Sequence, residues 1–320
     1  MNPRPLRHST PWPGHPSHRP SHGPPLRQPS RLVPFQKRTV TTPAPPGRLL
    51  RSMTVCIAAT SHARGGVTIT ASDMMLSDDW SSVDSNTYKV SPLFKGGGWR
   101  CMYSGLPTDF EELRHSLRKI ERPKNVIDAM TAVERAYDHL TNHYIERHVL
   151  SPFGLTHEDF MGNGREIFGE TYFRELVERC TLVKPPMETT LLVTGFDSAR
   201  DSHIFEAQRG TKCTVYDELG FHAIGAGGWA ALGSLFTGGL RSASTLSEAV
   251  YRVCEAKFVS EIARSVGREI TVVNVYFSDG TSFGPYYIDE GHVIRKSWES
   301  QRNLPAPPAA IEALDEILKD

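Results

Sequence analysis

From residue 54 onward the chain alternates between short apolar, β-branched runs and longer stretches in which apolar residues return every three or four positions. Two runs, at about 54 to 60 and 66 to 72, flank Ala63-Arg64-Gly65-Gly66 and predict a hairpin with glycine in the turn. A second pair, at about 87 to 94 and 99 to 104, is separated by Lys95-Gly96-Gly97-Gly98. From Pro107 the period changes. Leu113, Leu117 and Ile120, then Val126, Ile127, Met130, Val133, Ala136, Tyr137, Leu140, Tyr144 and Ile145, recur at helical spacing and predict two helices.

The segment 149 to 186 opens on a break at Ser151-Pro152-Phe153-Gly154 and carries a helical pattern around 167 to 180. Strands follow at about 187 to 195, 202 to 207, 212 to 216 and 220 to 225, helices at about 228 to 239 and 245 to 264, then strands at about 269 to 278 and 282 to 289. Beyond Pro305, Pro307 and Pro308 a short amphipathic helix ending in Leu318 is expected. Runs of strands alternating with runs of helices predict an α+β fold with helices on antiparallel sheets, not a parallel βαβ array.

Composition divides the chain at Met53. Residues 1 to 52 hold eight arginines, one lysine, no Asp or Glu, and 13 of the 23 prolines, which leaves 27 basic against 36 acidic side chains for the rest. So proline-rich and aperiodic a segment cannot bury enough surface to offset its ordering entropy, and disorder is expected. It reads as upstream sequence before a later start codon, a removable leader or a targeting segment, with a basic tail that binds nucleic acid as the least favoured reading. The prolines Pro3, Pro5, Pro11, Pro13 and Pro16 oppose the amphipathic helix of a transit peptide.

Residues 53 to 320 suit one domain with a helical insertion at about 149 to 186. No apolar run reaches the ~18 residues of a membrane span. Five scattered cysteines, Cys56, Cys101, Cys180, Cys213 and Cys254, fit reduced thiols in a cytoplasmic protein better than a disulfide framework. Neither a nucleic-acid nor a membrane partner is expected.

The Met53-Thr54 junction has chemical consequences. A threonine at a chain's N-terminus carries a hydroxyl and a free α-amine, a nucleophile and a base on one residue. The reference pKa of that amine, about 7.7 to 8.0, leaves a sizeable neutral fraction at physiological pH, and a nearby lysine lowers it further. As a bare sequence feature, a threonine here is more commonly just a β-branched residue opening a strand.

Four motifs give that threonine company: Met53-Thr54-Val55-Cys56-Ile57-Ala58, Ala71-Ser72-Asp73, Tyr88-Lys89-Val90 and Ser104-Gly105-Leu106-Pro107-Thr108-Asp109. In order and approximate spacing they resemble the proteasome β-subunit and HslV-type N-terminal nucleophile hydrolases. The start Met-Thr-Val-Cys-Ile-Ala-Ala and the long 149 to 186 segment look closer to uncharacterised bacterial and archaeal proteasome-like proteins.

The resemblance implies a four-layer αββα sandwich of two antiparallel sheets, self-assembly into a homo-oligomer, no metal or organic cofactor, and cleavage of a peptide or amide substrate. It implies Thr54 as nucleophile at the first strand, Asp73 ending the second, Lys89 within the third, Gly105 giving an oxyanion amide, and Ser265 keeping one role near the site. Whether an ATPase feeds such an assembly the sequence leaves open.

Two positions depart from the pattern. Ala226, in Gly225-Ala226-Gly227-Gly228, stands where the family has a water-positioning serine, and no aspartate is in register before Ser265, Glu261 being a poor geometric substitute. These departures keep a second reading open, a catalytically silent proteasome-like scaffold or binding module.

Other candidates have plainer readings. The Gly225 to Gly228 turn matches neither GxGxxG nor a Walker motif and fits close packing of a strand end on a helix. His139 and His143 share a helix face at metal-ligand spacing, with His148 or Glu146 as conceivable third ligands, but without HExxH they read as a solvated face. Cys56, among Val55, Ile57 and Ala58, reads as a buried thiol.

Overall fold

The computed structural model describes residues 54–62, 65–77, 82–84, 89–182 and 189–302; at 75–77 and 82–84 only the backbone is described. The proline-rich segment 1 to 52, the turn residues Ala63 and Arg64, and the helix expected up to Leu318 lie outside them.

The first hairpin forms as expected. Strands β1 (Val55–Ser61) and β2 (Val67–Asp73) pair antiparallel with Ile57 opposite Ala71. A small pair, β3 (Met75–Ser77) with β4 (Ser82–Asp84), was not anticipated. Of the strand expected at about 87 to 94, the described part forms the two-residue β5 (Ser91–Pro92), paired with β6 (Trp99–Ser104) and followed by a Leu93 amide that donates to the Trp99 carbonyl at 3.0 Å; residues 87 and 88 lie outside the described residues. Pro92 has no N–H to give a ladder, which confines β5 to a short edge.

Helix α1 (Pro107–Leu117) starts on proline, whose fixed φ suits the first helical position. Helix α2 (Val126–Ile145) is capped by Asn125, which accepts the Asp128 amide at 2.8 Å. A π-turn (Glu146–Leu150) and a 3-10 turn (Ser151–Phe153) lead into α3 (His157–Leu182), longer than expected and broken at Gly169, where φ is +73°. Phe160 and Leu176 of α3 pack on Leu150 in a small core of their own.

Strands β7 (Thr190–Phe196), β8 (Ser202–Gln208), β9 (Thr214–Val215) and β10 (Phe221–Gly225) follow, then α4 (Gly228–Thr237) and α5 (Leu246–Ser260). Thr245 caps α5 on the Glu248 amide, a cap that contributes about 1 kcal/mol. Strands β11 (Thr271–Phe277) and β12 (Ser282–Ile288) precede α6 (Val293–Arg302), a helix the periodicity did not reveal.

The result is α+β, with two five-stranded sheets in which every strand pairing is antiparallel. One has the order β10-β1-β2-β11-β12, the other β5-β6-β7-β8-β9. The period-2 pleat sends alternate residues to opposite faces. Val55, Ile57, Ala59, Ile69 and Ala71 of the first sheet pack with Leu235, Val253 and Phe258 of α4 and α5. Cys56, Ala58 and Ile224 from its other face meet Met102, Leu192 and Ile204 of the second sheet. The second sheet's far face, Trp99, Tyr103, Leu191 and Phe205, is covered by Leu113, Leu117, Val133 and Tyr137 of α1 and α2. Among the described residues no helix is long and apolar enough to cross a membrane.

Candidate active site

Thr54 sits immediately before β1, whose first residue Val55 pairs with Gly225 of β10 and whose next residue Cys56 pairs with Ser72 of β2. Asp73 is the last residue of β2, so antiparallel pairing with β1 returns its carboxylate to the Thr54 end. Lys89 arrives from the segment leading into the other sheet. It precedes β5 rather than lying in a strand, which corrects the expectation of a lysine within the third strand.

These three side chains form a closed triangle. The Thr54 hydroxyl donates to Asp73 Oδ1 at 2.5 Å, and Lys89 Nζ donates to the same oxygen at 2.5 Å and to Thr54 Oγ1. Asp73 and Lys89 are 0 % and 2 % exposed, so the pair is desolvated and neither charge can be left alone cheaply. Asp73 Oδ2 accepts the Gly267 amide at 2.9 Å, which orients the carboxylate. A hydroxyl flanked by an ammonium in a dry site is suited to forming an alkoxide that attacks a carbonyl.

The glycine turn after β10 fits tightly around the same residue. Gly225 has φ +93°, and a Cβ there would lie 2.3 Å from the Thr54 carbonyl oxygen. The Gly227 amide donates to that oxygen at 3.4 Å, while a Cβ on Gly227 would strike Val266 and Ser260. The turn is a close backbone collar on the threonine. Ala226 within it is half-buried.

Gly105 directly follows β6 and has φ +124°, a conformation that favours glycine. It succeeds Ser104, whose Oγ lies 3.2 Å from where a Gly225 Cβ would stand, so Gly105 belongs to the same end of the molecule as Thr54. Ser265 is half-buried in the loop after α5, and no hydrogen bond joins it to Thr54, Asp73 or Lys89 among the described residues. The loop reaches Asp73 through the Gly267 backbone instead.

The Glu261 carboxylate is held by Lys257 and Arg295, and among the described residues no hydrogen bond joins it to Thr54, Asp73 or Lys89. Sequence reasoning passed over Lys257 and Arg295. The available signal was a lysine among Val253, Cys254, Ala256 and Phe258, four residues before a glutamate.

Cys56 lies in the sheet-to-sheet core, its thiol donating to the Tyr103 carbonyl at 3.3 Å. Burial pushes that thiol up to about 12, with Lys89 opposing only in part. A thiol so buried and so raised is poorly suited to act as a nucleophile at neutral pH. His139 and His143 are exposed on α2 and His148 on the π-turn after it, and among the described residues no three metal-ligating side chains converge.

No family model matches this chain, and no curated protein does. Its fold is similar to that of a chain in the helical assembly of the Anbu complex from Pseudomonas aeruginosa. The TM-score is 0.54 and the identity 16 %, over 80 % of this chain and 99 % of that one. At that identity the likeness is one of fold, and the fold is of the proteasome-like kind. The assignment to the β-subunit and HslV-type hydrolases, or to their uncharacterised relatives, is thereby corrected. Its motifs are a few short runs of common residue types, and they do not carry membership where no family model matches and the fold likeness has 16 % identity.

Proposed function

We propose that the chain is a threonine-dependent amide hydrolase acting on peptides, and that its layers follow the order helix, sheet, sheet, helix. The buried triangle of Thr54, Asp73 and Lys89 is the observation that supports this reading. Removal of everything up to Met53 frees the Thr54 amine. That amine takes the Oγ proton as Oγ adds to the substrate carbonyl carbon, and Lys89 stabilises the developing alkoxide.

Asp73 fixes Lys89, and the Gly105 amide is assigned the oxyanion. The carbon–nitrogen bond then breaks, the amine proton passing to the leaving nitrogen, and water hydrolyses the threonyl ester. Ser265 is left the lesser task of shaping the loop that ends at Gly267.

A second reading, a scaffold that assembles without turning over substrate, is favoured by Ala226 and by the fold likeness to an assembly. Self-association suits both. Trp229, Phe236 and Ile262 present large exposed apolar surface on α4 and just after α5. N-terminal mass spectrometry of the purified protein, combined with hydrolysis of chromogenic peptide amides, separates the two. A chain starting at Thr54, active as isolated and inactive as Thr54→Ala, supports the hydrolase. A chain starting elsewhere, or turnover that survives Thr54→Ala, removes it.

A further inference from the structure

Behind the triangle lies a second buried charge network that no step above uses. Lys257 on α5 is fully buried, and its Nζ donates to the Gly267 carbonyl at 2.6 Å and to Glu261 Oε1 at 2.6 Å. Glu261 is gripped at both oxygens by Arg295 of α6, Nη1 and Nη2 each at 2.7 Å. Arg295 in turn donates to Glu299 at 2.9 Å and lies over the rings of Phe258 and Trp298.

The two networks meet at one residue. The Gly267 amide donates to Asp73 Oδ2, and the Gly267 carbonyl accepts from Lys257. With both polar ends of the residue held, its orientation is fixed, and with it the direction from which Asp73 is gripped.

We propose that Lys257 is a positioning residue for the hydrolase reaction, locking Gly267 so that its amide holds Asp73 against Lys89, with Arg295 and Glu261 anchoring Lys257 from α6. The inference rests on the hydrolase reading above. Burial disfavours the charged form of Lys257 and lowers its pKa, which Glu261 opposes, so the ammonium depends on that glutamate. Hydrophobic residues of similar volume would stabilise this region as well as a buried cation, anion and second cation do. What they could not supply is a donor aimed at the Gly267 carbonyl.

The test compares wild type, Lys257→Met, Arg295→Met and Arg295→Lys by steady-state kinetics on a chromogenic peptide amide and by hydrogen exchange at the Gly267 amide. Lys257→Met should lower kcat roughly tenfold at unchanged KM, since small misplacement of a catalytic group is costly in rate. It should also speed Gly267 exchange, about in proportion. Arg295→Met repeats the test from the far end of the network, and Arg295→Lys should restore most of its kcat.

A merely structural staple would lower the melting temperature of these variants and leave kcat per active site unchanged. Wild-type kcat in Lys257→Met, or unchanged exchange at Gly267, overturns the inference alone. Absence of Thr54-dependent turnover in the wild type overturns the hydrolase reading and this inference together.

Discussion

Asp73 and Gly267 are 194 residues apart in sequence and meet at 2.9 Å, amide to carboxylate, beneath the hydroxyl of Thr54. The contact makes the end of the first hairpin depend on the loop that closes α5. It also means that Asp73 is satisfied from both sides, by Lys89 and Thr54 at one oxygen and by Gly267 at the other.

Asp73→Asn should therefore abolish activity and strand a buried ammonium. Loss of one partner of a buried pair costs about 3 to 5 kcal/mol. The double variant Asp73→Asn/Lys89→Met should regain much of that stability and none of the activity. Urea unfolding together with peptide-amide turnover reads both. A double variant no more stable than the single one would mean that the pair is not desolvated as described.

Gly225→Ala places a methyl group against the Thr54 carbonyl oxygen and forces a side chain into positive φ. Backbone strain of that kind costs on the order of 1 to 3 kcal/mol. The expected result is a lower urea midpoint and a fall in kcat, because the collar displaces the nucleophile. Ala226→Gly, by contrast, should leave kcat within about twofold, since no contact of its methyl enters the proposed chemistry.

The fold was largely legible in the pattern of apolar residues, because helices such as α2 bury one periodic face, with Val133, Tyr137 and Leu140 as an instance, and the central strands β1, β2 and β11 are short runs buried throughout. Edges and loops were not. Among the described residues the strand expected through Lys89 is the two-residue edge Ser91–Pro92, and Lys89 and Val90 precede it outside any strand. The helix α6 hid behind a polar composition whose buried residues are Arg295 and Trp298.

In the site, Thr54 and Asp73 were visible as motifs at the open end of the first hairpin, and Lys89 as a lysine beside an apolar run. Gly267 acts through its backbone, which no side-chain pattern reports. Glu261 was weighed only as a poor substitute for the absent aspartate, and its contact with Arg295, distant in sequence, is one no local pattern shows.

His203 provides a pH test independent of catalysis. Burial lowers its pKa, but the Asp217 carboxylate at 2.6 Å and the nearby Asp197 outweigh that and leave it raised above 6.5. A raised folded pKa stabilises most below the unfolded value, and the contribution disappears as pH rises through the folded one. Wild type should exceed His203→Gln in stability at pH 5.5 by more than it does well above pH 7. Equal differences across that range in urea unfolding would contradict the pairing.

Cys56 should resist iodoacetamide in the native protein at pH 7.5, its thiol being buried and pushed up to about 12. Cys56→Ala should retain most turnover, whereas Thr54→Ala should retain none. Rapid alkylation of Cys56 with loss of activity would make the sulfur the nucleophile instead.

The most direct measurement is peptide mass spectrometry of the protein after reaction with a peptide epoxyketone, which can bond to a hydroxyl and a neighbouring amine together. The account predicts a single adduct on a peptide beginning at Thr54, joined through both Oγ and the α-nitrogen, and none in Thr54→Ala. Equal labelling of Thr54→Ala, or a mature chain whose first residue is not Thr54, would contradict it.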